Sequence, residues 1–222
     1  MAINIGMNKK ILIIGDSWGI GAYKYVDLPK GIESVPDTGL VYWLIQLGYD
    51  VSTIAVSGGD NLNQFDKITN ADYIVWMQTE TNRDLLSAKI EGTTFTELSA
   101  KAAENNYKLA QQVGIPFIVI GCLSPLHESI KKYNFYIHRI DSWIAELTGY
   151  ETTLNIHGDH MRQVIEMYKP TDIEFLTEEI DKMLKIETAL EVHPAFSDGV
   201  HPSSHSYREL AGRLHLMITA NN

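Results

Sequence analysis

A serine near the start of the chain and an aspartate–histidine pair near its end have the residue types needed for nucleophilic catalysis. Ser17 lies between Gly15 and Gly19, which permit a tight turn. A serine hydroxyl is a weak nucleophile at neutral pH and needs a base, usually a histidine that a third polar group orients. Asp198 stands three residues before His201, so a turn could bring its carboxylate to the imidazole Nδ1 and leave Nε2 as the base. This pattern favours a serine hydrolase.

A second histidine, His193, competes with His201 for the role of base. Position 190, three residues before it, is Leu190 rather than a carboxylate. No acidic group at that spacing could orient the His193 ring, whereas His201 has one, so we prefer His201.

Strands and helices alternate along the chain and must position these residues. Short apolar runs predict strands at residues 11–14, 51–56, 73–77 and 117–120. Helical spacing of apolar residues predicts helices over residues 38–47, 95–113, 135–147, 160–168 and 171–186, and a last helix that begins at Ser203 or Ser204.

This alternation predicts a three-layer α/β/α sandwich built on a mostly parallel sheet. No repeat or long linker interrupts the chain, so we expect one domain over residues 1–222, with a helical region of uncertain role at about 122–190. In such sheets ligands bind outside the carboxyl ends of the strands. Ser17 follows the first strand and lies at such an end.

Composition and charge exclude several classes of function. The 222 residues include 28 acidic and 18 basic side chains, for a net charge of −10, which disfavours binding to nucleic acid or anionic membranes. No apolar run approaches the ~20 residues of a membrane span. The start lacks a signal-peptide pattern, so we expect a cytoplasmic protein or a phage product made in the cytoplasm. One cysteine, Cys122, excludes an internal disulfide.

The chemical residues and their order resemble those of the SGNH (GDSL-type) hydrolase family. The resemblance rests on IGDS at residues 14–17, on a glycine in SGGD at 57–60 and, most specifically, on FSDGVHPS at 196–203. It implies a flavodoxin-like SGNH hydrolase fold, with Ser17 as nucleophile, His201 as general base and then acid, and Asp198 as its orienter. It implies no metal or organic cofactor, because protein groups supply all the chemistry.

The resemblance also implies an oxyanion hole formed by two backbone amides and one asparagine side chain. The amides would be those of Ser17 and Gly59. Spacing alone leaves Gly58 open as the second donor, and Gly59 is preferred because it directly precedes the polar pair Asp60-Asn61. Such donors stabilise the charge that develops on one oxygen of the tetrahedral intermediate.

The third block departs from the family pattern, which is Gly-x-Asn-Asp. The chain reads QTETNRD over residues 78–84, and straight alignment puts Glu80 in the asparagine's place, where an ionised carboxylate repels a developing oxyanion. Gln78 is the preferred substitute, because it is two residues earlier and points to the same side of an extended chain. Asn82 could serve if the loop bulges. Arg83 could neutralise Glu80 or bind an acidic substrate.

The expected activity is hydrolysis of a carboxylic ester, a short-acyl or O-acetyl ester such as one on a carbohydrate, through an acyl-enzyme on Ser17. The candidate substrate pocket comprises Trp18, Glu80, Asn82 and Arg83. Trp18 is interpreted first as a packing residue, with a pocket floor as the alternative. The alternative function is a non-catalytic binding or structural module whose oxyanion hole Glu80 disables. The sequence leaves the oligomeric state open.

Overall fold

The computed structural model describes residues 9–21, 23–26, 31–150, 158–198 and 201–221. Within these ranges, side chains are described except at residues 23–26, 31–34, 82, 158–160 and 187.

Seven strands are present in the described part of the chain: β1 (Lys10–Gly15), β2 (Tyr23–Val26), β3 (Gly31–Ser34), β4 (Asp50–Thr53), β5 (Tyr73–Gln78), β6 (Phe117–Gly121) and β7 (Tyr136–Ile140). Five of them form a parallel sheet in the order β4-β1-β5-β6-β7. The other two, β2 and β3, pair as a separate antiparallel hairpin.

Eight α-helices accompany the strands: α1 (Ser17–Ile20), α2 (Leu40–Gln46), α3 (Thr81–Ser87), α4 (Phe95–Val113), α5 (Trp143–Thr148), α6 (Gly158–Tyr168), α7 (Ile173–Leu190) and α8 (Ser204–Ala220). Two 3-10 helices, Leu62–Lys67 and Glu128–Lys132, lie in the connections. No helix of the described ranges is both long and apolar enough to cross a membrane.

Helices cover both faces of the sheet because alternate strand residues point to opposite sides. Ile11 and Ile13 of β1 share one buried cluster with α2 and α8. Leu12 and Ile14 of the same strand share the opposite cluster with Tyr107 of α4. A third cluster joins α3, α6, α7 and the start of α4. The predicted three-layer α/β/α class with a parallel sheet is confirmed.

The local predictions hold best for the most buried elements. The strand predicted at residues 11–14 is β1, and the helix predicted at 95–113 coincides with α4. Gly114 ends that helix in the left-handed conformation, with φ of 74°. The last helix begins as predicted, because Ser203 Oγ accepts a hydrogen bond from the backbone N–H of Ser206.

The helix predicted over residues 135–147 is wrong in its first half. Residues 136–140 form β7, which pairs with β6 at the edge of the sheet, and only 143–148 are helical. Four of the five β7 residues are half-buried, so the strand lacks the continuous apolar run that marked the central strands. The hairpin of β2 and β3 was not predicted, and β4 ends at Thr53, short of the predicted limit at residue 56.

The first strand, β1, ends at Gly15, and the close approach of β5 requires a glycine at this position. Gly15 has φ of +138°, and a Cβ there would lie 2.3 Å from the carbonyl oxygen of Met77. A side chain would therefore push β1 away from β5. This glycine brings residues 16 and 17 to the carboxyl edge of the sheet, beside the end of β5.

Candidate active site

Ser17 begins the short helix α1 immediately after β1. The preceding residue, Asp16, caps that helix, because its Oδ1 accepts a hydrogen bond from the Trp18 backbone N–H at 3.0 Å. Ser17 is 8% exposed, so the residue is largely buried.

The structure brings together the three residues that sequence reasoning selected as nucleophile, base and orienter. Nε2 of His201 lies 2.9 Å from Oγ of Ser17. Nδ1 of the same ring lies 2.7 Å from Oδ2 of Asp198. With the proton on Nδ1, the ring donates to Asp198 and accepts from the Ser17 hydroxyl. We call these three residues the serine–histidine–aspartate array.

A tight turn before α8 fixes the histidine side of this array. Asp198 also accepts a hydrogen bond from the backbone N–H of His201, at 2.7 Å, through its other oxygen. The backbone N–H of Ser197 donates to the carbonyl of His201 at 2.9 Å, and Phe196 forms a β-bridge with Pro202. One carboxylate therefore holds both the backbone and the ring of the histidine.

The competing histidine, His193, forms a hydrogen bond within its own turn. Nδ1 of His193 accepts a hydrogen bond from the backbone N–H of Ala195 at 3.2 Å, which ties the ring to its own turn. The structure thus places His201, and not His193, against the Ser17 hydroxyl.

The glutamate that occupies the family asparagine's place is paired with an arginine. Glu80 is fully buried, and its Oε2 forms an ion pair with Nε of Arg83. Nη1 of Arg83 lies 3.3 Å from Oδ2 of Asp16. The guanidinium therefore stands between two buried carboxylates, one of them adjacent in sequence to Ser17. We call Asp16, Glu80 and Arg83 the buried carboxylate cluster.

This cluster holds more negative than positive charge. Burial is the main reason that the pKa of Asp16 rises from 3.8 to about 6, and the neighbouring Glu80 adds to the rise. Arg83 and His201 act in the opposite direction. Oε1 of Glu80 is buried and has no hydrogen-bond partner among the described residues.

The three residues of the predicted substrate pocket whose side chains are described, Trp18, Glu80 and Arg83, are buried inside the protein. Trp18 is 1% exposed and packs edge-on against Trp143 and Phe196, with ring centroids 5.5 and 6.1 Å away. Its place is the core between α1 and the last helix, which corrects the pocket-floor alternative. Glu80 is 0% exposed, so it cannot touch a substrate without rearrangement. Arg83 is 8% exposed and Asn82 has a side chain outside the described part.

The backbone amide predicted as the second oxyanion donor is already engaged. The N–H of Gly59 donates to the carbonyl of Val56 at 2.7 Å, which closes a tight turn. Gly58 occupies the turn's left-handed position, with φ of 71°, a conformation that favours glycine. The Gly59 amide is therefore engaged in this conformation, and its role as an oxyanion donor stays a prediction.

Gln78 ends β5 and is 5% exposed. Its Oε1 accepts a hydrogen bond from the Tyr107 hydroxyl at 3.5 Å, which directs the carbonyl end of the side chain toward α4. A glutamine amide has two further N–H donors. The role of Gln78 as an oxyanion donor stays a prediction.

The importance of two buried polar residues, Asn61 and Asp84, was not predicted. Asp84 accepts hydrogen bonds from both the backbone N–H and the side-chain Nδ2 of Asn61, at 2.9 and 2.8 Å. Burial raises the pKa of Asp84 from 3.8 to about 7, although four hydrogen bonds oppose the rise. Asn61 lies in the connection after β4, and Asp84 lies in α3, the helix that follows β5; their place after two strands of the sheet was the available signal.

The fold and site together define an α/β protein with a serine–histidine–aspartate array at the carboxyl edge of a parallel sheet. This is the arrangement that the resemblance to SGNH hydrolases implies. No protein-family model and no curated protein sequence matches the chain.

Three solved structures are similar to the chain over nearly its whole length. An aryl esterase of M. smegmatis is 14% identical with a TM-score of 0.48, covering 96% of this chain and 99% of its own. A GDSL-like lipase of Parabacteroides merdae is 14% identical with a TM-score of 0.43, covering 96% and 97%. A carbohydrate acetylesterase of Sinorhizobium meliloti is 12% identical with a TM-score of 0.49, covering 96% and 100%. Such values assign neither an activity nor a substrate to this chain.

Proposed function

We propose that the protein is a serine hydrolase that cleaves a carboxylic ester through an acyl-enzyme on Ser17. The observation that carries this proposal is the unbroken pair of contacts from the Ser17 hydroxyl to the His201 ring and on to Asp198, at 2.9 and 2.7 Å. A hydroxyl, an imidazole and a buried carboxylate in this order are what an activated serine requires.

The proposed reaction has two proton-coupled halves. His201 Nε2 takes the hydroxyl proton as Ser17 Oγ attacks the carbonyl carbon, and it then gives that proton to the leaving alcohol as the ester C–O bond breaks. A water molecule next loses a proton to the same nitrogen and attacks the acyl group. The carboxylic acid leaves, and the proton returns to Ser17. Asp198 keeps the ring oriented and stabilises its charged form.

The oxyanion would be stabilised by the backbone N–H of Ser17 and by the Nε2 end of Gln78. Arg83 supports this role indirectly, because its ion pair with Glu80 offsets the carboxylate charge that alignment alone places in the hole. We therefore propose that Glu80 does not by itself abolish catalysis.

The substrate is proposed to be a short-acyl or O-acetyl ester of a small molecule or carbohydrate. Ser17 and His201 are only 8% and 9% exposed, so a bulky acyl group would have to displace side chains to reach the hydroxyl. A compact acetyl group needs the least displacement.

The test is hydrolysis of p-nitrophenyl acetate and of an acetylated sugar by the parent and by Ser17→Ala. We expect Ser17→Ala to lose at least about 1,000-fold in kcat/KM. Ser52→Ala is the matched control, because Ser52 is exposed on β4, and we expect it to keep the parent rate.

Equal rates for the parent and Ser17→Ala would contradict the proposal. A folded parent that hydrolyses neither ester, and whose Ser17 also fails to react with an active-serine probe, would favour the non-catalytic module. The engaged amide of Gly59 is the observation on the side of that alternative.

A further inference from the structure

The fully buried carboxylate of Asp84 gathers four hydrogen bonds from two separate segments. Oδ1 accepts from the backbone N–H groups of Asn61 and Leu62, at 2.9 and 3.2 Å. Oδ2 accepts from the side-chain Nδ2 atoms of Asn61 and Asn106, at 2.8 and 2.7 Å. Three of the four bonds therefore go to the loop that follows Gly59.

The side chain of Asn61 also binds the backbone of Thr79, the residue that follows β5. Its Oδ1 accepts from the backbone N–H of Thr79 at 3.1 Å, and its Nδ2 donates to the carbonyl of the same residue at 3.1 Å. The indole Nε1 of Trp76 donates to the same Oδ1 at 3.0 Å. The side-chain amide thus pairs with Thr79 as a neighbouring strand would, directly between Gln78 and Glu80.

Arg83, the residue before Asp84, joins the 59–62 loop to Asp16, which directly precedes Ser17. Nη1 of Arg83 donates to the carbonyl of Gly59 at 3.3 Å and contacts Asp16 at the same distance. Arg83 and Asp84, which are consecutive residues of α3, therefore hold the 59–62 loop at Gly59 and at Asn61. We call Asn61, Thr79, Asp84 and Asn106 the Asn61–Asp84 network.

A carboxylate fits this position better than its isosteric amide. Two carboxylate oxygens offer about four acceptor sites, which is the number of N–H groups that point at Asp84. An asparagine would offer one oxygen to these four donors, and its own N–H groups would face some of them. At least one buried donor would then lose its partner, which is costly in a protein interior.

From this geometry we propose that Asp84 is a positioning residue, which holds the 59–62 loop and, through Asn61, the backbone at Thr79 in the arrangement that the oxyanion site needs. The proposal rests on the proposed function for its catalytic consequence. None of the contacts given above joins Asp84 to Ser17 or His201, so its action is through the loops. Small displacements of catalytic donors lower kcat more than KM, because the donors act mainly on the transition state.

The test compares Asp84→Asn with Asn106→Ala in the full chain. Asn106→Ala is the matched control, since it removes a hydrogen bond to the same carboxylate but none to the loop. We expect Asp84→Asn to lower kcat for p-nitrophenyl acetate by about 10- to 100-fold with KM within about threefold. We expect Asn106→Ala to keep kcat within about threefold of the parent.

Amide hydrogen exchange gives a second readout that does not depend on activity. The amides of Asn61 and Leu62 should exchange at least about tenfold faster in Asp84→Asn than in the parent, and at the parent rate in Asn106→Ala. If Asp84→Asn does not fold, Asn61→Ala takes its place: it keeps the backbone bonds to Asp84 and removes the link to Thr79. We expect the same selective fall in kcat from it, with faster exchange at Thr79.

Two results would overturn the inference: unchanged exchange at residues 61 and 62 in Asp84→Asn, or an equal fall in kcat in both variants. If the parent has no Ser17-dependent activity, the proposed function fails, and the exchange data alone still decide whether Asp84 holds the loop.

Discussion

Two buried polar regions meet beside Ser17, and they differ in how their charges are balanced. In the serine–histidine–aspartate array the ring nitrogens of His201 contact Ser17 Oγ and Asp198 Oδ2, at 2.9 and 2.7 Å. In the buried carboxylate cluster one guanidinium faces two carboxylates, and Oε1 of Glu80 has no hydrogen-bond partner in the described part of the chain. The first region has the order of groups that the proposed proton transfer requires. The second holds loops together at some cost in electrostatic energy.

This difference predicts that substitutions in the array change activity without changing stability, whereas substitutions in the cluster change stability first. A substitution in the array that unfolds the protein, or a substitution in the cluster that leaves its stability unchanged, would break this comparison.

The largest expected effect is on the array side. Asp198→Asn should lower kcat by about 1,000- to 10,000-fold, because the amide can donate to Nδ1 and favour the wrong tautomer of His201. The melting temperature should stay close to that of the parent. Steady-state kinetics and thermal unfolding of the same preparation check both halves. A variant that loses its fold along with its activity would place Asp198 in the structural region instead.

On the cluster side, Arg83→Met should destabilise the protein by about 3–5 kcal/mol, because it leaves Asp16 and Glu80 buried without their cation. Chemical denaturation measures this change. The double variant Arg83→Met/Glu80→Gln removes one of the two charges and should recover part of the stability. No recovery would mean that the arginine contributes through packing rather than through charge.

Gln78 ends β5, two residues before Glu80, and its substitution sharpens the comparison. Gln78→Ala should lower kcat by about 100-fold, the size expected for loss of one oxyanion donor. Tyr107→Phe is the control, since it removes the hydroxyl bonded to Oε1 of Gln78 but keeps the amide. Rates measured for p-nitrophenyl acetate decide the point, and an unchanged rate in Gln78→Ala would exclude Gln78 from the oxyanion hole.

The smallest expected effect is a pH dependence of stability that comes from two buried carboxyl groups. Burial raises the pKa of Asp16 to about 6 and that of Asp84 to about 7. The folded chain therefore binds protons that the unfolded chain has released, and stability falls as pH rises through these values. We expect the melting temperature to fall by about 4 °C or more between pH 5 and pH 8.

Asp84→Asn should flatten the stability profile, because it removes one of the two carboxyl groups with a raised pKa. A melting temperature that rises from pH 5 to pH 8 would contradict the raised pKa values of the two carboxyls.

The sequence predicted those features whose signals are local. The apolar run at residues 11–14 and the stop at Gly114 are complete within a few residues, and both were predicted correctly. The three-residue spacing of Asp198 and His201 is equally local. Ser17 could be added because it follows a buried strand, and such sheets place ligands at that end.

Other features depend on contacts that no short segment contains. The edge strand β7 is half-buried and takes its pairing from β6, so its sequence alone suggested a helix. Glu80 is paired with Arg83, and Arg83 also contacts Asp16, which belongs to a distant segment of the chain. The engaged amide of Gly59 follows from the turn conformation at Gly58 rather than from residue type.

The central claim is that His201 activates Ser17, and covalent labelling by a fluorophosphonate tests it most directly. The reagent reacts with a serine that has an active base and needs no knowledge of the natural substrate. The account predicts one adduct per chain, mapped to Ser17 by peptide mass, with no adduct in Ser17→Ala and much slower labelling in His201→Ala. A folded parent that stays unlabelled, or a label at another serine, would contradict the account.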